Sequence, residues 1–366
     1  MEYVEQDLVK IAKRENNTKR NYLVVNPLQA KHIPVSPRKA LELFNQLAEI
    51  FRNKYDISKT LVVGFAETAT AIGAQVAVSL GTKYIQTTRE IISGVEYLFF
   101  SEEHSHATEQ KLVKNDIDLI IPDIDRIIFV EDEVTTGKTI LNIISVLEKK
   151  YSKKINFSVA SLLNGMTEEF LEIYKSKNID LFYLVKTDHS NYAEIADILQ
   201  VDGNYYISNE NDKNVYSEIK LPGTVNARRI VFGEHYRESC EKLFGEIINV
   251  LGNIEHQNIL VVGTEEFMYP ALYVGKRMED LGNNVLCHST TRSPICVSLN
   301  NDYPLHNRYQ LKSLYDDDRK TFLYDIKEYD KVLIITDAIE TESKGTKTLI
   351  NALAEKSKHI VVFRWC

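Results

Sequence analysis

Cysteine is scarce in this chain of 366 residues: four are present, none in a CxxC pair and none beside histidine at zinc-ligand spacing. That excludes a disulfide-stapled scaffold or a zinc ribbon and is expected of reduced thiols in a cytoplasm. No apolar run approaches the roughly 20 residues that cross a bilayer. The first twenty residues alternate charges instead of building the apolar stretch of a signal peptide, so no membrane span and no targeting segment are expected. A long basic tract is also missing and the net charge is -8, which argues against a nucleic-acid polymer as partner. A small anionic substrate stays compatible, since a local site can be positive on an acidic protein. With 44% hydrophobic and 26% charged residues, the composition is that of a soluble globular protein long enough for two domains.

What is present is an α/β pattern. Residues 1–20 read as a polar amphipathic helix, and Pro27, Pro34 and Pro37 then break the chain into an extended stretch. A helix is expected over Pro37–Tyr55, with Leu41, Phe44, Leu47 and Ile50/Phe51 on one face. Short apolar runs follow at Thr60–Val63, Tyr84–Thr87, Arg126–Val130, Asn156–Ala160 and Asp180–Val185, most of them separated by helical patterns at Thr70–Leu80, Lys138–Lys149 and Glu168–Lys177. Runs that are apolar on both faces and alternate with helices predict a parallel sheet covered on both sides. Residues 200–225 are polar and rich in Gly, Asn and Pro, the composition of a linker or substrate loop. Beyond it come helices at Tyr236–Leu251, Ala271–Gly282 and Lys347–Lys356, strands at Asn258–Val262, Val285–His288, Lys331–Thr336 and His359–Arg364, and an irregular stretch up to Asp330. The expected division is 1–205, a linker at 206–225, and 226–366.

The halves read as a diverged internal repeat. Leu61-Val62-Val63-Gly64 matches Leu260-Val261-Val262-Gly263, Thr87-Thr88-Arg89 matches Thr290-Thr291-Arg292, and Ile127-Ile128-Phe129-Val130-Glu131-Asp132 matches Leu333-Ile334-Ile335-Thr336-Asp337. The three matches keep their order at an offset of about 200 residues. Two unrelated α/β domains are the plainer alternative, since an apolar strand followed by glycine is common.

The strongest chemical signal is the run from Arg126 to Thr139, RIIFVEDEVTTGKT. An apolar strand delivers two carboxylates, Glu131 and Asp132, where open α/β sheets bind ligands, and these suit vicinal ribose hydroxyls. The Thr/Gly loop behind them opens a helix, whose free N–H groups and dipole suit a phosphate. Gly137 permits close backbone approach, and Thr135, Thr136 and Thr139 add hydroxyl donors. An ordinary βα turn with capping threonines is the bland reading, but adjacent acids ahead of TTGKT exceed what capping needs. A Walker A loop is excluded, because no glycine stands five residues before Gly137.

This run resembles the 5-phosphoribosyl-1-pyrophosphate (PRPP) motif of type I phosphoribosyltransferases. The resemblance implies two tandem Rossmann-like parallel-sheet domains, the first with the type I phosphoribosyltransferase fold and the second a diverged repeat of it. It implies a Mg²⁺-dependent glycosyltransferase that passes the phosphoribosyl group of PRPP to a base-like small-molecule acceptor and releases pyrophosphate. The 5-phosphate would lie on Thr135, Thr136, Gly137, Lys138 and Thr139, and the ribose and metal on Glu131 and Asp132. Glu67, Thr68, Ala69 and Thr70 stand where such enzymes bind pyrophosphate; Glu67 departs from the usual form of that loop and suggests a role through Mg²⁺. Arg89 matches a basic pyrophosphate contact of orotate phosphoribosyltransferases. Between them, where the family has its mobile catalytic loop, Glu102, His104 and His106 are candidate acid/base groups or metal ligands, against the alternative of a solvated loop. Hood candidates for the acceptor are residues 21–37, with Asn26-Pro27-Leu28-Gln29, Lys31 and His32, and the pair Tyr205-Tyr206.

In the second half, Thr291-Arg292-Ser293-Pro294 resembles the TRSP domain, known fused behind phosphoribosyltransferase domains in gene clusters associated with tellurite resistance. That resemblance implies a cytoplasmic role in making a nucleoside-like metabolite and leaves a homodimer open. A non-catalytic PRPP or nucleotide sensor of the same fold is the alternative, and a PRPP synthase ranks behind it for want of an ATP-binding element. The second half is expected to lack its own PRPP site, since Thr336 replaces one acid and Glu340 and Glu342 would repel a phosphate. A pocket for another anion is expected there instead, drawn from Glu265, Glu266, Arg292, Ser293, Asp337 and Lys344, against the alternative that these groups pair with one another as structural ion pairs.

Overall fold

The structure, a computed structural model, describes residues 3–15, 20–101, 109–210 and 214–366. A short helix α1 (Glu5–Leu8) leads into strand β1 (Lys10–Lys13), which pairs antiparallel with β2 (Tyr22–Val25). After helix α2 (Pro37–Phe51) come β3 (Thr60–Gly64), α3 (Thr70–Leu80) and β4 (Lys83–Gln86). An antiparallel pair, β5 (Tyr97–Ser101) and β6 (Glu109–Val113), and helix α4 (Lys114–Ile120) precede β7 (Arg126–Val134). Alternation continues through α5 (Lys138–Lys150), β8 (Asn156–Asn164), α6 (Glu168–Ser176), β9 (Asp180–Lys186) and α7 (Tyr192–Ile198). Strands β10 (Asn204–Ile207), β11 (Ser217–Leu221) and β12 (Val231–Phe232) follow, then α8 (Gly233–Leu251), β13 (Asn258–Gly263), α9 (Tyr269–Asp280) and β14 (Asn284–Ser289). The chain closes with β15 (Asn307–Lys312), β16 (Lys320–Tyr324), β17 (Lys331–Thr336), α10 (Lys344–Ala354) and β18 (Ile360–Trp365).

Two compact units result. The first is formed chiefly by Leu41–Asp188 and Val225–Glu238, the second by Val4–Ala40, His189–Thr224 and Ser239–Cys366. The first holds a sheet in the order β12-β4-β3-β7-β8-β9, parallel except for β12 on β4. The second holds an all-parallel sheet, β11-β18-β17-β13-β14, and a smaller one, β10-β15-β16. In both large sheets the first strand of the series lies between the second and the third, so each has a switch point, at β3/β7 and at β13/β17. Every residue of β3 is buried, and all of β13 except its first; burial on both faces is why these strands read as unbroken apolar runs.

The expected boundaries shift in four places. Residues 1–20 are not one helix: Lys10–Lys13 is a strand, because Val25 to Tyr22 supply a ladder partner that overrides helical patterning. The stretch read as a linker carries β11, whose register on β18 runs from Ser217↔Val361 to Leu221↔Trp365. Its polar sequence fits an edge strand at the rim of the sheet. The segment before Asp330, read as irregular, contains the β15–β16 hairpin. The N-terminal segment 4–40, read as a hood on the first domain, packs within the second unit.

Candidate active site

β7 outruns its neighbour. Its pairing with β3 ends at Gly64↔Val130, whereas its pairing with β8 continues to Val134↔Asn164. The sequence pattern ends the strand at Val130; it continues because Ser161, Leu163 and Asn164 of β8 offer ladder partners. Glu131 and Asp132 are therefore consecutive residues of an extended strand, and their side chains leave it on opposite faces.

Asp132 meets the β3–α3 loop. Its Oδ1 accepts a hydrogen bond from Thr68 Oγ1 at 2.9 Å. That loop is held at its root, where the Phe65 amide donates to Val130 O at 3.1 Å. Ala66 is clamped on both sides: its N–H donates to Thr87 Oγ1 (2.8 Å), its carbonyl accepts from Gln110 Nε2 (2.7 Å), and Thr87 Oγ1 donates to Gln110 Oε1 (2.5 Å). The ring is buried, so each of these groups has exchanged water for a protein partner. The Ala66–Glu67 peptide is cis, Glu67 is buried, and Ala69 caps α3, which starts at Thr70.

Glu131 faces the other loop. Burial raises the Tyr174 phenol well above its usual range, and the Glu131 charge adds to the rise. The Tyr174 hydroxyl donates to the Gly137 carbonyl at 2.7 Å. Gly137 has φ 68, and a Cβ there would lie 2.2 Å from Tyr174 Oη, so this position needs glycine for conformation and for space alike. α5 begins at the next residue, Lys138, which is exposed and has Nζ 5.7 Å from the Phe170 ring centroid. Thr135, Thr136 and Thr139 are half-buried around the turn. Loop, helix start, acid pair and the 65–70 segment thus converge at the carboxyl ends of β3 and β7, the switch point of the first sheet.

Arg89 is half-buried one residue past Thr88, which pairs with Lys111 of β6. Glu102, His104 and His106 lie outside the described residues. The hood candidates do not join this unit. Asn26, Gln29, Lys31 and His32 are buried within the second, where Lys31 Nζ donates to the Glu265 and Thr290 carbonyls at 2.8 and 3.1 Å. Tyr205 and Tyr206 belong to β10 of that unit; Tyr206 stacks on Tyr309 and Arg308 covers Tyr205. Among the described residues no three His, Cys, Asp or Glu side chains gather as a metal cage. Nor, among them, is any helix long and apolar enough to cross a membrane.

The second switch point gathers some of its expected groups and corrects others. Arg292 joins Glu265 and Glu266, with Nε 2.8 Å from Glu265 Oε2 and Nη2 3.2 Å from Glu266 Oε1. Its guanidinium therefore meets carboxylates of its own chain, where the sequence suggested an external anion. Asp337 enters through Tyr315, whose hydroxyl donates to Asp337 Oδ1 at 2.6 Å and lies 2.7 Å from Thr264 Oγ1. Ser293 accepts from the Tyr324 hydroxyl with its backbone carbonyl, and Lys344 has an exposed side chain. The residues that sequence reading missed at the two sites are Gln110, Tyr174, Ser313, Tyr315 and Arg319. None stands in a motif, and each acts on a residue at least 22 positions away.

A family model described as phosphoribosyl transferase matches residues 8–187, and one described as the TRSP domain C-terminal to it matches residues 232–353. Among solved structures the chain is similar to adenine phosphoribosyltransferases. That of Thermoanaerobacter pseudethanolicus is 15% identical, with TM-score 0.36, covering 50% of this chain and 97% of that one. The Giardia lamblia enzyme complexed with 9-deazaadenine is 20% identical, with TM-score 0.35, covering 50% and 96%. The Trypanosoma brucei enzyme, in complex with AMP, pyrophosphate and ribose-5-phosphate, is 14% identical, with TM-score 0.34, covering 49% and 76%. A search of curated proteins finds no match.

Proposed function

The chain belongs to the phosphoribosyl transferase family over residues 8–187 and carries a TRSP domain behind it, and on that premise we propose that the first switch point binds PRPP and transfers its phosphoribosyl group. The observation that carries this reading is the Thr68–Asp132 hydrogen bond, which joins the 65–70 loop to the acid pair at the mouth of the Gly137 turn. In this reading the 5-phosphate sits on residues 135–139, at the start of a 13-residue helix, where N–H groups and dipole favour an anion. Glu131 and Asp132 accept from the ribose hydroxyls. The pyrophosphate lies against Glu67–Thr70 and Arg89.

Mg²⁺ fits this donor set. The ion binds phosphate substrates through one or two carboxylates, with water and phosphate oxygens completing its shell, and needs no all-protein cage. Asp132, on the face that meets the 65–70 loop, would hold it, with Glu131 on the other face, and it would neutralise charge on the leaving pyrophosphate. The acceptor's lone pair forms the new bond at the anomeric carbon as the bond to pyrophosphate oxygen breaks, the electron pair leaving with pyrophosphate. The chain's contribution is positioning and charge compensation. We read the acceptor as base-like and the product as an intermediate in making a nucleoside-like metabolite.

Calorimetry with PRPP and Mg²⁺ tests the site. Asp132→Asn and Glu131→Gln should each weaken binding by about 1.5–3 kcal/mol, the worth of a hydrogen bond to a charged group. Unchanged affinity in both variants would remove the basis for this assignment.

A further inference from the structure

The two switch points share a hydrogen-bond skeleton. In the first unit Thr87 N donates to Gly64 O at 2.9 Å, and Thr87 Oγ1 accepts from Ala66 N at 2.8 Å. In the second, Thr290 N donates to Gly263 O at 3.1 Å, and Thr290 Oγ1 accepts from Glu265 N at 3.0 Å. Thr88 exchanges backbone hydrogen bonds with Lys111 of one hairpin, and Thr291 does so with Phe322 of the other. The Ala66 carbonyl takes the Gln110 amide, and the Glu265 carbonyl takes the Lys31 ammonium. Glu265 thus stands where Ala66 stands, and Arg292 follows Thr290 as Arg89 follows Thr87.

We propose that the second switch point is a latent site for a phosphate-like anion, and that the Glu265 carboxylate holds the place of that anion. Glu265 is 1% exposed, and its backbone adopts the left-handed conformation, φ 49, unusual for a residue of this kind. Its Oε2 lies 2.8 Å from Arg292 Nε and 2.9 Å from Arg319 Nη1, and its Oε1 accepts from Ser313 Oγ at 2.5 Å. Two guanidinium groups and a hydroxyl converging on one pair of oxygens form the donor set that recognises phosphates and carboxylates from solution. Three cations, Arg292, Arg319 and Lys31, meet three acids: Glu265 and Glu266, both buried, and Asp316, half exposed and 3.6 Å from Arg319. Removing the Glu265 carboxylate leaves cationic charge in excess in a buried place, where uncompensated charge is costly and an entering anion is favoured.

The test uses the full chain and inorganic pyrophosphate, titrated by calorimetry. Glu265→Gly suits the left-handed backbone as it removes the side chain, and Glu265→Ala is the second variant. Each should bind one more equivalent of pyrophosphate than the unaltered chain, and adding Arg292→Gln should abolish that equivalent. The proposal is overturned if both variants melt cooperatively yet keep the unaltered stoichiometry. A saturable pyrophosphate site in the unaltered chain that Arg292→Gln alone removes would overturn it as well. Because the comparison is a difference keyed to Arg292, it holds whether or not the first unit takes PRPP.

Discussion

His288 shows how one side chain couples to pH. It is fully buried, its Nδ1 accepts from Ser289 N at 2.9 Å, and its Nε2 lies 2.8 Å from the Tyr324 carbonyl, which fixes the neutral form protonated on Nε2. Burial, with a smaller push from the Lys31 ammonium, lowers its pKa from 6.5 to about 4. The unfolded chain takes up a proton below 6.5 and the folded chain resists until about 4, so this contribution to stability is complete above 6.5 and is lost as pH falls towards 4. The full loss amounts to about 3 kcal/mol. Urea midpoints taken at pH 7 and pH 5 should separate more in the unaltered chain than in His288→Gln; equal separations would sink the assignment. At this scale the sequence was legible where a residue's role is local. Gly137 announces itself by its place after Thr135-Thr136, and the structure gives it φ 68. Tyr174, which fills the space beneath it and bonds its carbonyl, gives no sign of this in its own neighbourhood, because the contact spans 37 positions.

Strands built of continuous apolar residues were readable because burial on both faces leaves that mark. Among the elements that escaped reading are strands made by their pairing, not by their composition: β1, β11 and the β15–β16 hairpin. β7 escaped in part, since its last four residues extend along β8 alone. The β5–β6 hairpin illustrates how an element controls a site from its edge. Gln110, one pair from the end where the two strands are joined, clamps Thr87 and the Ala66 carbonyl together. Gln110→Ala strands both buried partners and should cost about 1–3 kcal/mol in denaturant unfolding. A midpoint within error of the unaltered chain would show that the clamp carries no weight.

At the scale of the molecule, sequence order and spatial membership part company. The alternation of strands and helices signals two parallel sheets, yet the division into a first and a second half misses that Val4–Ala40 and His189–Thr224 pack with the C-terminal sheet. No local pattern encodes this; Lys31, buried and bonded to carbonyls 234 and 259 positions away, is what records it. A chain trimmed to begin at Leu41 loses that buried ammonium and the strand pair β1–β2. Its thermal unfolding should show the C-terminal unit weakened while the unit formed around β3 and β7 holds. A truncated chain with both transitions intact would contradict the packing described.

The same interleaving bears on synthesis. A ribosome releases the chain from its N-terminus, so Val4–Ala40 leaves the exit tunnel long before Ser239–Cys366, its structural company, has been translated. The intervening unit can fold at once from nearly contiguous chain, while the opening segment waits through most of the message with its apolar residues uncovered. Such a nascent chain has reason to need a chaperone at this segment, and a stall in translation before β18 would leave residues made ahead of the first unit to find their place after it.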